Sequence, residues 1–528
     1  MKASQSADSQ PADIVREVES GRLRGTAYPT HTVFYSIPYA AAPVGIGRFQ
    51  APAPVRPWLG VRAATAPGPT APQLPRGRFG SLDISAYFDP GWRVGPDYLT
   101  VNIWSPRDVS GGAPVLVFLH GGAFVAGSSH SPMLDGSRFA QHGVVVVTVN
   151  YRLGIAGFLD IPGAFPNRGL ADVVAALAWV NRNVTAFGGD PARVTLAGQS
   201  AGAILTAAAI AAPEAAGLFG RAVMQSGSGS AAFSREQAAI VRDAAAATLG
   251  VAATLDGFAD LTDQQLIDAV PELTGLDLGT ATVRDPLQRI TPLGVVLDDQ
   301  PVTTVARAAG QPVDLLIGHN TDEGNLYLLP NGVAAAATLQ QLTEAAEYAD
   351  PDPDRLLSVY RRLHPTATPG RLRSIILGDA VFGTGSRAMA DSHSAAGKRT
   401  YAYAFGWSSP ALAGQLGATH IVELPFVFDN LLPTFQGADG LLGTPAPAPL
   451  AARVHRAWVD FVTIGTPGWP EYRPDRRTTQ LINDEWAVVD DPFAAERDAW
   501  THTHHTRTGT ADMVDQRVQP NLPGAHPG

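Results

Sequence analysis

The 528-residue chain contains no cysteine. That excludes disulfide staples, thiolate nucleophiles and Cys-ligated zinc or iron–sulfur centres. Lysine occurs only at Lys2 and Lys398, so arginine supplies nearly all of the positive charge, a mark of genome composition and not of chemistry. Charged residues make up only 16%, and the formal net charge is -10, which argues against nucleic acid or an anionic membrane as partner. No apolar run approaches the ~18 to 20 residues that span a bilayer. The N-terminal MKASQSADSQPADIVREVESG lacks the apolar centre of a signal peptide. The expected location is cytoplasmic, with secretion left open should a leader have been removed. What is abundant is apolar: 45% hydrophobic residues can bury a large core, in one large catalytic domain or two to three smaller ones.

The chain is organised around Arg193 to Thr206, RVTLAGQSAGAILT. Val194 to Ala197 form a short strand-like run that enters Gly198-Gln199-Ser200-Ala201-Gly202, and an Ala-rich helical segment follows to Pro213. In G-x-S-x-G the turn is so sharp that the serine is lifted out, and the glycines let strand and helix close around it. The new helix points its free N–H groups at the same place, which favours developing negative charge. The competing reading is a glycine-rich connection carrying a solvated serine.

Upstream, Val15 to Thr32 reads as strands of a small N-terminal sheet, and Ala63 to Asp97, rich in Pro, Gly and Arg, as a long surface loop. Tyr98 to Trp104 alternates like a strand covered on one side, whereas Pro114 to Leu119 and Gly143 to Asn150 are continuous apolar runs suited to central parallel strands. Directly after the first of these comes His120-Gly121-Gly122-Ala123-Phe124. Glycines there can turn backbone N–H groups toward a ligand, as an oxyanion hole requires; an ordinary glycine turn is the alternative.

These segments resemble the type B carboxylesterase family of bacterial para-nitrobenzyl esterases, animal carboxylesterases and cholinesterases. The resemblance runs through IPYAAAPVGIGRF (37–49), DYLTVNIWSP (97–106), HGGAF (120–124) and VNYRLGIAGFL (149–159). It continues in family order through the 169–203 block around Ser200, MQSGS (224–228), NTDEGN (320–325) and HIVELPFVF (420–428). It implies an α/β-hydrolase fold: a central, mostly parallel β-sheet flanked by helices, in a single catalytic domain over 1–500. Helical segments at about 231–310 and 334–399 would wall the entrance, and 501–528 would be a polar tail. Capping boxes S/T-x-x-Q at Ser234–Gln237, Thr262–Gln265 and Thr338–Gln341 mark helix starts. A late helix, Leu450 to Ile464, carries Val454, Trp458 and Phe461 on one stripe and stops at Gly465.

A serine hydroxyl becomes a nucleophile when an imidazole takes its proton and a carboxylate orients the imidazole. The fold order is Ser, acid, His. The acid should follow the strand Val313 to Gly318, and the resemblance selects Glu323, with Asp322 as fallback; a helix-capping role stays open for either. It selects His420 as base. His120 would orient the oxyanion loop, His319 lacks support as base, and His502, His504 and His505 read as tail, not metal ligands. The oxyanion donors would be the N–H groups of Gly122, Ala123 and Ala201, and Ser226 would hydrogen-bond the acid. No cofactor and no metal are expected; the partner is a small-molecule ester, and the chain a monomer or homodimer.

The chain departs from the family pattern at three places. Ala71 and Tyr98 stand where relatives often close a Cys loop, so that loop is expected to be unstapled and mobile. Pro96 removes the family partner of Arg48. Gln199 replaces the cholinesterase glutamate, and Trp92 does not align with their choline-binding tryptophan, which disfavours choline esters. The resulting expectation is a serine carboxylic-ester hydrolase acting through an acyl-enzyme. Amide hydrolysis or acyl transfer at the same site is the alternative, and a non-catalytic interaction protein on this fold the more distant one.

Overall fold

A computed structural model describes residues 12–500 apart from 109–110, 308–309, 311 and 438. Its strands, in chain order, are β1 (Ala12–Val18), β2 (Gly21–Ala27), β3 (His31–Pro38), β4 (Val61–Ala63), β5 (Arg78–Phe79), β6 (Leu82–Asp83), β7 (Thr100–Pro106), β8 (Ala113–Leu119), β9 (Val145–Val149), β10 (Gly189–Gln199), β11 (Arg221–Gln225), β12 (Asp314–Asn320), β13 (Thr400–Phe405), β14 (Thr478–Ile482) and β15 (Ala487–Asp490). All but β5 and β6 join one sheet in the order β1-β2-β3-β7-β9-β8-β10-β11-β12-β13-β14-β15, with β4 beside β2. From β9 to β14 the strands run parallel; the two ends are antiparallel.

The centre follows from composition. In β8 and β9 every residue is buried, and four valines among the five residues of β9 favour the pleated backbone over a helix. Helices such as Arg168–Asn183 and Ala201–Ala211 pack against this layer. β7 departs from the expected one-sided cover, since all of it except Pro106 is buried. Asn102 tolerates burial there because it is bonded: its Nδ2 donates to Ser129 O at 2.8 Å.

The expected separate N-terminal sheet does not form. β3 pairs with β7 antiparallel and carries β2 and β1 outward as an extension of the main sheet. Val33, Phe34 and Ile37 are all buried, which a small detached sheet could not achieve. The 63–97 segment is likewise not a plain surface loop. Leu82, Ile84, Tyr87 and Phe88 are buried, and so are Ala71 and Tyr98 at the missing Cys-loop positions. Polar clasps do the fastening: Gln73 exchanges hydrogen bonds with the backbone of Gly127 at 2.8 and 2.9 Å, and the Thr70 hydroxyl binds Gly91 O and Arg93 N.

All three expected capping boxes are formed, by Ser234, Thr262 and Thr338. The late helix spans Ala448–Ile464 with Val454, Trp458 and Phe461 in the core and Gly465 at φ 80° as its left-handed cap. The 231–310 segment is less helical than expected: 274–300 carries no helix and is held by buried Leu278, Leu287, Leu293 and Val295. Among the described residues no helix is long and apolar enough to cross a membrane.

Candidate active site

Ser200 sits where β10 meets the helix Ala201–Ala211, at φ 55°, ψ -123°, a conformation that L-residues avoid. Close packing forces the turn. A Cβ on Gly198 would lie 2.2 Å from Gly202 O, and one on Gly202 would lie 2.1 Å from Leu119 O, so both positions admit only glycine. Ser200 N–H donates to Gln225 O at 2.9 Å, fixing the elbow to β11, and the residue keeps 9% exposure.

The loop after β8 turns through Gly122 (φ 113°), Ala123 (φ 56°) and Phe124 (φ 63°). Val125 and Ala126 N–H both close onto Gly122 O, so the left-handed backbone frees the N–H groups of the turn from the strand ladder. The loop is braced from every side. Thr291 Oγ1 donates to Ala123 O at 2.9 Å, Gly154 N–H to Phe124 O at 2.8 Å, and Tyr151 Oη to His120 O at 2.7 Å. His120 stacks on Tyr151 at 4.5 Å, and burial pushes its pKa down to about 4, so it is a neutral strut. Tyr87, from the segment read as a loop, accepts the Gly121 N–H at 3.0 Å and donates to Gln199 Oε1 at 3.1 Å.

Glu323 and His420 come together as the resemblance implies. His420 Nδ1 lies 2.5 Å from Glu323 Oε2, both side chains are buried, and Glu323 Oε1 accepts Asn320 N–H at 2.7 Å. Asp322 is engaged elsewhere, pairing with Arg371 and accepting Ala418 N–H at 2.9 Å. With Nδ1–H aimed at Glu323, Nε2 is the ring's accepting atom; the Gln199 side-chain amide nitrogen lies 3.4 Å from it. Phe382 stacks on the imidazole at 4.3 Å and Tyr327 flanks it at 5.8 Å. Phe382 belongs to a π-helical stretch, Asp379–Gly383, inserted between two α-helices. Ser200, the 121–124 loop and Glu323 all follow the carboxyl ends of parallel strands, where such sheets gather their ligands.

Two implied contacts differ. Ser226 stands at φ 49° with its N–H on Gly318 O, but its buried hydroxyl has no partner among the described residues and forms no bond to Glu323. Arg48 does have a partner, Asp263 at 3.2 Å, supplied by the helix Asp263–Asp268 in place of the lost family acid, and it also donates to Leu261 O. His319 borders a water-sized void of about 30 Å³ with Arg387, Tyr403 and Phe493. Among the described residues no cluster of His, Asp and Glu could hold a metal, and His502, His504 and His505 lie outside them.

Glu423 is the carboxylate that sequence reasoning missed. It is fully buried, accepts Asn320 Nδ2 at 2.7 Å and Gln225 Nε2 at 3.3 Å, and burial together with nearby Glu323 pushes its pKa up to about 7. Its place three residues after His420 was the available signal. Tyr87 and Phe382 offered none beyond being aromatic, since each reaches the site through tertiary packing.

This geometry, a serine on a strained strand–helix elbow and a buried imidazole–carboxylate pair on a mostly parallel sheet, defines a serine hydrolase of the α/β-hydrolase fold. Comparison with known proteins narrows the class. Residues 12–500 match the model of the carboxylesterase family. The para-nitrobenzyl esterase of Bacillus subtilis (strain 168) is 34% identical over 90% of this chain and 96% of its own length. The fumonisin B1 esterase of Sphingopyxis macrogoltabida is 32% identical over 88% and 86%. Among solved structures, the Geobacillus stearothermophilus carboxylesterase EST55 superposes with a TM-score of 0.80 at 34% identity, covering 92% of this chain and all of that one. The chain belongs to the carboxylesterase family, and it is a carboxylic-ester hydrolase.

Proposed function

We propose that Ser200, His420 and Glu323 form the catalytic triad of this esterase, within a single catalytic domain, and that the N–H groups of Gly122, Ala123 and Ala201 bind the oxyanion. The observation that carries the assignment is the 2.5 Å contact between His420 Nδ1 and Glu323 Oε2 in the buried cluster behind the Ser200 elbow. Glu323 holds the imidazole in the tautomer whose Nε2 can accept a proton. Ser200 Oγ attacks the ester carbonyl while its proton passes to Nε2, and the carbonyl oxygen becomes an anion held by the loop and helix N–H groups. Collapse expels the alkoxide, which takes the proton from Nε2 and leaves as alcohol. Water then adds to the acyl-enzyme by the same route: its proton goes to Nε2, its oxygen to the acyl carbon, and Ser200 Oγ recovers the proton as the acid departs. The Tyr87 and Tyr151 clasps support this reading because a preformed oxyanion loop costs no reorganisation during reaction.

Hydrolysis of p-nitrophenyl acetate, butyrate and octanoate by the wild type beside Ser200→Ala tests the assignment. Turnover by the wild type and background by the variant is expected. Equal rates in the two proteins would reject Ser200 as nucleophile.

A further inference from the structure

A cleft of about 200 Å³ opens beside the oxyanion loop. Its walls are Val125, which directly follows the loop, the short helix at Gly154–Phe158, the helix Asp263–Asp268, and the 72–76 stretch. The lining is mainly apolar, Leu74, Ile155, Leu266 and Val270 among it, with two charged residues, Arg76 and Asp263. Arg76 projects into this region, surrounded by protein so that burial lowers its pKa, yet with its side chain open to solvent.

Arg76 carries a bare cation. Among the described residues it forms no ion pair and no hydrogen bond, in a chain whose net charge is -10 and whose arginines are mostly paired with aspartates. The carboxylate that shares the cleft, Asp263, is already held by Arg48 at 3.2 Å. The guanidinium rests 6.0 Å from the Phe88 ring, the neighbour of Tyr87 that clasps the oxyanion loop. Tyr327, which flanks the His420 imidazole at 5.8 Å, lies within reach of the Arg76 charge. Arg76 therefore lines a cleft that borders the oxyanion loop at Val125.

We infer that Arg76 selects esters whose acyl or alcohol chain ends in a carboxylate. The planar guanidinium fork binds such a group through two parallel N–H···O bonds, and partial desolvation by the apolar walls strengthens the pair relative to open water. A neutral chain of equal length gains only the apolar contact. The inference rests on the esterase assignment above and adds to it the charge of the preferred substrate.

The test compares kcat/KM by pH-stat for two matched pairs: monoethyl adipate against ethyl hexanoate, with the anion on the acyl side, and ω-acetoxyhexanoate against hexyl acetate, with the anion on the alcohol side. Wild type, Arg76→Gln and Arg76→Lys are measured at low and high salt. The anionic-to-neutral ratio should fall about tenfold or more in R76Q for one of the pairs, partly recover in R76K, and drop with salt in the wild type and R76K but not in R76Q. Neutral-ester rates should be unchanged in both variants, which also reports correct folding. The pair that responds identifies which half of the ester occupies the cleft. Ratios unchanged by R76Q for both pairs, with neutral turnover intact, would overturn the role of Arg76 and leave the esterase assignment standing. A wild type inactive on all four esters would overturn both.

Discussion

Tyr87 and Gly121 are joined by a single hydrogen bond of 3.0 Å, in which the phenol accepts the backbone N–H at the root of the oxyanion loop while donating its own proton to Gln199. One hydroxyl thus ties the loop to the residue beside the nucleophile. Tyr87→Phe keeps the ring and deletes this tie, leaving a buried N–H without an acceptor. We expect a stability loss of about 1–3 kcal/mol by urea unfolding. Turnover of p-nitrophenyl acetate should fall with KM nearly constant, because the loop acts on the transition state. A change in KM alone would assign Tyr87 to substrate binding.

Phe382 should matter through the imidazole it covers. Phe382→Leu preserves bulk but removes the flat face stacked on His420 at 4.3 Å, so the ring gains freedom to tilt away from Ser200. A roughly tenfold decrease in kcat is expected, in keeping with the sensitivity of enzymes to small misplacements of catalytic groups. Turnover equal to wild type across the p-nitrophenyl series would show that Glu323 alone fixes the ring.

Glu423 gives the molecule a pH-dependent stability of definite sign. Its folded pKa, about 7, lies above its ordinary 4.5, so folding favours the protonated form. That stabilisation is complete below about 4.5 and is lost as pH rises through about 7, a span worth about 3 kcal/mol. Glu423→Gln cannot ionise. Its melting temperature relative to wild type should therefore improve between pH 5 and pH 8, and a constant difference across that range would refute the assignment.

Arg152 and Asp172 form an ion pair with no exposed surface, bonded at 2.8 and 2.7 Å, with Arg152 N–H adding a third bond to the carboxylate. Asp172→Asn strands a buried guanidinium, and a loss of about 3–5 kcal/mol is expected in urea unfolding. Replacing both residues by apolar ones of similar volume should restore part of it. Equal losses in the single and double variants would mean that packing, not charge, holds this site.

How far the sequence reveals this molecule depends on the range of the interactions involved. Ser200, the 121–124 turn and the capping boxes are local: a few consecutive residues and their φ/ψ demands specify each. Glu323 and His420 lie 97 residues apart and came from resemblance, which stands in for long-range information. Where only tertiary pairing decides, the reading failed. β1 to β3 look the same whether they build their own sheet or extend another, and the Pro- and Gly-rich run that hides Tyr87 looks like solvent-exposed loop. The Arg48–Asp263 pair shows the same limit, for a lost partner can be replaced from any helix that packs nearby.

The two ends of the sheet carry a consequence for behaviour at high concentration. An outer strand with unpaired backbone groups invites a second chain to add to it, and the resulting growth is open-ended. Here β1 places Asp13, Arg16 and Glu17 along one margin, and β15 is only four residues long and finishes at Asp490 beside Asp491. Charge at one margin and brevity at the other leave little template for strand-by-strand aggregation, although the sheet between them is rich in valine.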